Sequence, residues 1–275
     1  MKYYDLTNDK YIEQNDSESL KFLYNTIPGR VILKGITKPF VSKLYAKYMN
    51  SSISKHKIKR FINKNKIELN DYEQKEYVSF NDFFIRDIKK KKRPIEKGLI
   101  AICDSKLSVY KIDQNSKFSI KNSVYDVEEL IQEKNHKYKY ALIFRLCVDD
   151  YHHYIFPDDG KVINNKKING ILHTVQPIAF KKYKVFHENT REVTFLSCKN
   201  LGNVCYIEVG AMFVGKIVNN NKKEFKKGEE KGHFEFGGST IVLLIEKDIK
   251  INKKILENTK KGIETIVKMG QSIDK

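Results

Sequence analysis

The chain has 275 residues and carries 52 Lys and Arg against 34 Asp and Glu, a formal net charge of +18. Hydrophobic residues are 40% and charged residues 31%, which excludes a disordered tail and a membrane-embedded bundle and allows a sizeable core. The longest apolar runs, such as Ile241 to Ile245 and Ala141 to Phe144, fall far short of the roughly 20 residues a spanning helix needs.

The polar N-terminus, MKYYDLTNDKYIEQND, has no apolar stretch of the secretory kind, so the cytoplasm is the expected compartment. Residues 1–75 read as helical, amphipathic and basic. Leu20, Leu23 and Ile27 recur at helical spacing after Ser17 and Glu18, and Pro28-Gly29 is expected to stop that helix. Phe40, Leu44, Tyr45 and Tyr48 then share a face, with Lys38, Lys43 and Lys47 around it. A basic amphipathic helix with aromatics suits a membrane surface, and equally suits packing on its own domain.

From about residue 76 the texture becomes that of strands. Phe83-Phe84-Ile85 leads into the basic loop Lys89 to Arg93, closed by Pro94. Leu107 to Ile112, Tyr140 to Val148, VTFLSC, VCYIEVGAMFVGKI, HFEF and TIVLLI follow, divided by Gly, Asn and Lys turns. Helices are expected only near Val127 to Glu133 and near Ile263 to Met269. The fold class is therefore α+β: N-terminal amphipathic helices over 1–75, then a mainly antiparallel β domain over 76–275.

The cysteines, Cys103, Cys147, Cys198 and Cys205, form no Cys-x-x-Cys pair and read as reduced, buried thiols. No metal site is expected. The positive charge favours polyanions, either nucleic acid or an anionic lipid surface. Only six of the basic residues are arginine, the side chain that base reading favours, which argues against sequence-specific nucleic-acid binding.

Three segments hold residues that could do chemistry. Gly237-Gly238-Ser239-Thr240 sits between two strand patterns. A serine just after such glycines has its hydroxyl near the preceding carbonyl carbon, and with a base nearby it can attack that carbonyl. An ordinary Gly-Gly-Ser turn would read the same. Asp149-Asp150-Tyr151-His152-His153 follows a buried strand and could supply a general base; the two histidines are expected on opposite faces. Asp104, just before another strand, could orient a histidine or be a simple turn residue.

Taken together, FNDFFIRDIKKKKRPI, DYHHYIFPDDGKV, ILHTVQPI, NTREV, IEVGAMFVGKI and KGEEKGHFEFGGSTIVLLI resemble, in this order, the self-processing phosphatidylserine decarboxylases over roughly Ser79 to Ile245. The resemblance implies cleavage between Gly238 and Ser239, a covalent pyruvoyl group derived from Ser239, and large and small chains 1–238 and 239–275. It implies that His152, held by Asp104, is the base for processing, and that the product of phosphatidylserine decarboxylation is phosphatidylethanolamine. It further implies peripheral attachment to the cytoplasmic side of the cell membrane, with phosphatidylserine and an anionic membrane surface as partners, a homodimer among the assemblies expected, and no nucleic acid.

The sequence departs from the family pattern at His153, where arginine is common, and at Ile155, where a second histidine is common. It departs again at Ala101-Ile102 and Ser105 around Asp104. A non-catalytic basic binding module and an unprocessed inactive homologue are the alternatives.

Overall fold

The computed structural model describes residues 1–275 apart from 15–16, 121–122 and 214–215. Val214 and Gly215 of the IEVGAMFVGKI segment thus lie outside the described residues. The chain opens with strands β1 (Lys2–Asp5) and β2 (Lys10–Glu13), followed by helices α1 (Glu18–Asn25), α2 (Ile27–Ile36), α3 (Pro39–Met49), α4 (Lys57–Asn65) and α5 (Phe80–Phe84). Then come β3 (Ser105–Lys111), β4 (Lys117–Ile120), β5 (Ser123–Asp126), α6 (Val127–Ile131), β6 (Tyr140–Leu146), β7 (His153–Ile155), β8 (Gly160–Ile168) and α7 (Val185–Glu188). The rest is β9 (Arg191–Cys198), β10 (Gly202–Val209), β11 (Ile217–Asn219), β12 (Glu224–Phe225), β13 (Glu230–Phe234), β14 (Ser239–Ile245), α8 (Lys253–Lys260) and β15 (Glu264–Val267).

One 10-stranded sheet runs in the order β12-β8-β9-β10-β14-β6-β3-β15-β1-β2, antiparallel except where β1 runs parallel to β15. A 3-stranded sheet, β11-β13-β7, lies beside it. The two apolar runs picked out by pattern, β6 and β14, are neighbours at the sheet centre, with Ile241 opposite Phe144 and Leu243 opposite Leu142. Both faces of this pair are covered, which is why the runs are continuous rather than alternating.

The structure differs from the sequence reading at both ends. Helix begins only at Glu18; residues 2–13 are a hairpin at the sheet edge. Their partner, β15, is some 260 residues away, so no local pattern announces the pairing. The helix expected near Ile263 to Met269 is instead β15, where Thr265-Ile266-Val267 is β-branched and favours strand, and the C-terminal helix is α8, capped by the Asn252 side chain accepting from the Lys254 amide. Pro28 does not stop a helix but begins α2, whose Thr26 cap accepts from the Gly29 amide. A side chain at Gly29 would meet the Phe22 carbonyl at 2.1 Å, so this glycine is what lets α1 and α2 close up.

Between Glu230 and Gly232 the pairing of β13 with β7 shifts register. The bulge turns the Lys231 side chain into the core, where its ammonium meets the fully buried Glu208 carboxylate and Asn219 Oδ1 at 2.8 Å. Burial pushes Glu208 up to about 7, against the pull of Lys231. Replacing Lys231 by Met should cost about 3–5 kcal/mol, because the carboxylate is left buried without its partner. Adding Glu208→Leu should recover most of that loss. Urea unfolding of the two variants measures both effects, and equal stability of single and double variants would contradict the pairing.

Candidate active site

β6 and β14 are neighbours in the large sheet, while the strands they connect to, β7 and β13, are neighbours in the small one. The chain therefore crosses between the sheets twice at one place, outward through residues 147–152 and back through 235–238. His152 ends the first link, and Gly237-Gly238-Ser239 ends the second.

The first link is a tight turn. The Asp150 amide donates to the Cys147 carbonyl at 3.0 Å, and the Cys147 amide donates back to the Asp150 carboxylate at 2.8 Å. Lys106 holds both oxygens of that carboxylate, at 2.9 and 2.7 Å, out of solvent. The turn aims the Asp150 main-chain carbonyl at His152, whose Nδ1 lies 2.8 Å away. A carbonyl only accepts, so Nδ1 carries the hydrogen and Nε2 keeps a bare lone pair. His152 is fully buried, and Nε2 has no protein partner. Burial is the main cause that lowers its pKa, to about 4, and the Arg86 guanidinium adds to it. His152 is therefore neutral near pH 7.

The second link is clamped by α5. Asn81 Oδ1 accepts from the Phe236 amide at 2.9 Å, and the Phe236 ring packs on Phe80 and Phe84 with centroids 5.0 and 5.1 Å away. Phe84 also lies 4.2 Å from the His152 ring, and the His152 carbonyl accepts from the Phe234 amide at 3.0 Å. One short helix thus touches both links. Gly237 has φ +137°, open only to glycine at low cost, whereas a Cβ on Gly238 would make ordinary contacts with the Leu146 carbonyl and Val175. Of the two glycines, the first shapes the turn. Ser239 opens β14 opposite Leu146; it is fully buried, and its Oγ has no protein partner. Buried hydroxyls are nearly always bonded, so an orphan here is a cost that invites a functional reason.

Asp104 is elsewhere engaged. Its Oδ1 accepts from Arg93 Nε and from the Met269 amide, both at 2.8 Å, and Oδ2 takes Arg93 Nη2 at 2.5 Å and Lys268 at 3.4 Å. The expected Asp104–His152 contact is absent because a bidentate guanidinium occupies the carboxylate, and main-chain Asp150 orients the imidazole in its place. Asp104 instead ties residue 93 to the C-terminal segment 268–269.

The other histidines are also engaged elsewhere. His153 faces Glu230 and the Ile85 carbonyl, His173 stacks on Tyr183 with Nδ1 near the Tyr24 hydroxyl, and His187 meets Asp126 and Glu129. Ile155 is core: its amide donates to the Ile102 carbonyl, and its own carbonyl accepts from the Tyr206 hydroxyl.

Sequence reasoning did not assign Asn81, Phe84 or Arg86, although all lie in the FNDFFIR run. The Arg86 guanidinium is buried over the Tyr72 ring (4.1 Å), with Nε and Nη2 unpartnered. A cavity of about 680 Å³ lined by Tyr3, Arg145 and Phe180 includes neither Ser239 nor His152.

The class that fold and site define is a large-sheet α+β protein with a sealed serine and a sealed neutral imidazole in adjoining links between two sheets. The phosphatidylserine decarboxylase family model matches residues 80–275. A phosphatidylserine decarboxylase proenzyme 2 of Clostridium acetobutylicum is 52% identical over 98% of this chain and 96% of its own length. Phosphatidylserine decarboxylase proenzymes from Clostridium botulinum and Fusobacterium nucleatum are 39% and 37% identical, over 99% and 95% of this chain and 98% and 96% of their own. The chain belongs to the phosphatidylserine decarboxylase family.

The buried imidazole carries a pH signature. An unfolded histidine takes up a proton near pH 6.5, whereas folded His152 refuses it until about 4. Its contribution to stability is thus complete above pH 6.5 and is lost as pH falls toward 4, by roughly 3 kcal/mol. Denaturant unfolding of uncleaved Ser239→Ala at pH 7 and pH 4 should show this loss, and Ser239→Ala/His152→Gln should lose that much less.

Proposed function

We propose that this chain is a self-processing proenzyme that cleaves itself between Gly238 and Ser239 and then decarboxylates phosphatidylserine to phosphatidylethanolamine. The observation that carries this reading is the pair of buried, unpartnered atoms, Ser239 Oγ and His152 Nε2, in adjoining links.

His152 Nε2 takes the Ser239 hydroxyl proton, and Oγ bonds to the Gly238 carbonyl carbon. The Gly238–Ser239 C–N bond breaks, the nitrogen takes a proton, and an ester remains. Loss of the Ser239 α-proton with rupture of the Cβ–Oγ bond leaves a Gly238 carboxylate on one chain and dehydroalanine on the other. Water then releases ammonia and leaves a ketone. The residues fit a pyruvoyl group at 239, since the hydroxyl that would give rise to it is free and its surroundings are dry. Such a group supplies a carbonyl for the substrate amine and a sink for the electron pair left by carbon dioxide.

His152, fixed by Asp150, is placed to pass to carbon a proton that its Nε2 first takes from water. With Ile155 in the core, it serves both stages. Arg86, buried and half-satisfied, suits an anionic group of the headgroup. The small chain stays in place after cleavage, because β14 lies between β6 and β10, and β15 between β3 and β1.

Membrane attachment is part of the proposal. No helix of the described residues is long and apolar enough to cross a membrane. Yet Ile27, Val31, Ile32, Phe40 and Leu44 on α2 and α3 are exposed, Ile27 to 72% and Phe40 to 67%. Lys34, Lys38, Lys43 and Lys47 stand among them, each worth on the order of 1 kcal/mol near an anionic surface. The basic surface alone would also suit nucleic acid; apolar side chains set among lysines favour lipid.

Two experiments bear on this reading. On a denaturing gel the native chain should run as fragments 1–238 and 239–275, with the smaller one blocked at its N-terminus. Ser239→Ala should stay whole, and His152→Gln should cleave at least a hundredfold more slowly. A native chain that remains whole would sink the proposal. Separately, Val31→Asp/Phe40→Asp should cleave normally, which reports its folding, but no longer float with phosphatidylserine-containing vesicles. Undiminished flotation would place the membrane surface elsewhere.

A further inference from the structure

His153 and His233 are direct cross-strand partners on β7 and β13, so their side chains share a face of the small sheet, and their rings stack at 5.0 Å. Glu230 is three residues before His233 and in a regular strand would point the opposite way. The bulge at Lys231 reverses this: Lys231 turns inward to Glu208, and Glu230 turns out beside the two histidines. Ligand atoms of His153, Glu230 and His233 lie within 4.8 Å of one another. Among them, His153 Nδ1 is 3.1 Å and His233 Nδ1 3.9 Å from Glu230 Oε1.

The tautomer of His153 follows from its other nitrogen. Nε2 lies 3.0 Å from the Ile85 carbonyl oxygen, which can only accept, so Nε2 carries the hydrogen. In the neutral ring Nδ1 then presents a lone pair to a carboxylate oxygen 3.1 Å away. Two acceptors at that distance need a positive centre between them. A ring N–H donating to a main-chain carbonyl is also the usual outer bonding of a metal-bound histidine. Two ligands about 2.0 Å from a tetrahedral ion sit about 3.3 Å apart, and the His153–Glu230 spacing already matches. Glu230 and His233 are partly exposed, so the third ligand can close in and water can fill the fourth position.

We infer that His153, Glu230 and His233 bind a divalent transition ion of the zinc class. Two imidazoles and one carboxylate suit such an ion and not Mg²⁺ or Ca²⁺, which prefer oxygen-only shells. The ion would join β7 to β13 on the face away from His152, upstream of the 235–238 link. This inference does not depend on the proposed reaction.

The test uses tag-free full chain stripped with a chelator. Zn²⁺ titrated in competition with a chromophoric chelator should bind at one equivalent per chain. His233→Gln and Glu230→Gln should each weaken it at least tenfold, and the native chain should melt higher with Zn²⁺ than without. Co²⁺ added to the native chain should give the visible absorption of an imidazole-bound ion, erased by Zn²⁺; this reading needs no variant to fold. Absence of that absorption, or Zn²⁺ uptake unchanged in both variants, overturns the inference and leaves His153 and Glu230 as a hydrogen-bonded pair.

Discussion

Everything local to Ser239 depends on a double adjacency. β6 lies beside β14 in one sheet, and their continuations β7 and β13 lie beside each other in the second. Two connections between the same two pairs of strands must run side by side. That constraint, rather than any contact between the Ser239 and His152 side chains, brings the Asp-Tyr-His segment to the Gly-Gly-Ser segment. Helix α5 then locks the arrangement by bonding one link through Asn81 and packing on both through Phe84.

The interior holds matched buried charges, Asp150 with Lys106, Glu208 with Lys231 and Arg145 with Glu264, and also unmatched polar atoms such as Tyr125 Oη and Thr265 Oγ1. At the site, the Ser239 hydroxyl and His152 Nε2 are sealed and left unbonded, and Arg86 keeps two free nitrogens. Each such group costs on the order of 1–3 kcal/mol, which a stable sheet of ten strands can carry. Dryness is also what holds the imidazole neutral, so the same burial that costs stability keeps a lone pair on Nε2.

Asp104 shows how a plausible sequence argument can miss. An acid before a strand is a reasonable partner for a histidine, but Arg93, eleven residues upstream, presents a planar fork that takes both oxygens. The resulting cluster with Lys268 and Met269 binds the region before β3 to the chain end after β15. In the proposed enzyme this ties the large chain to the small one. Ile155, read from the sequence only as the place where a second histidine is common, proves to be a core residue.

Element type was legible wherever a short pattern decides it: the apolar runs of β6 and β14, the polar and apolar spacing of α1 and α3, and Gly237 at a turn that only glycine enters cheaply. The residues of the proposed site, Ser239 after Gly238 and His152 after Asp-Tyr, stand out in the sequence as well. What the amino-acid string left open was which distant side chains would meet. The β1–β15 pairing, the clamp from Asn81, the capture of Asp104 by Arg93 and the bulge that turns Glu230 toward His153 and His233 all needed the tertiary structure. Backbone preference acts over a few residues, whereas the partner of a buried polar group is settled by packing between segments tens to hundreds of residues apart.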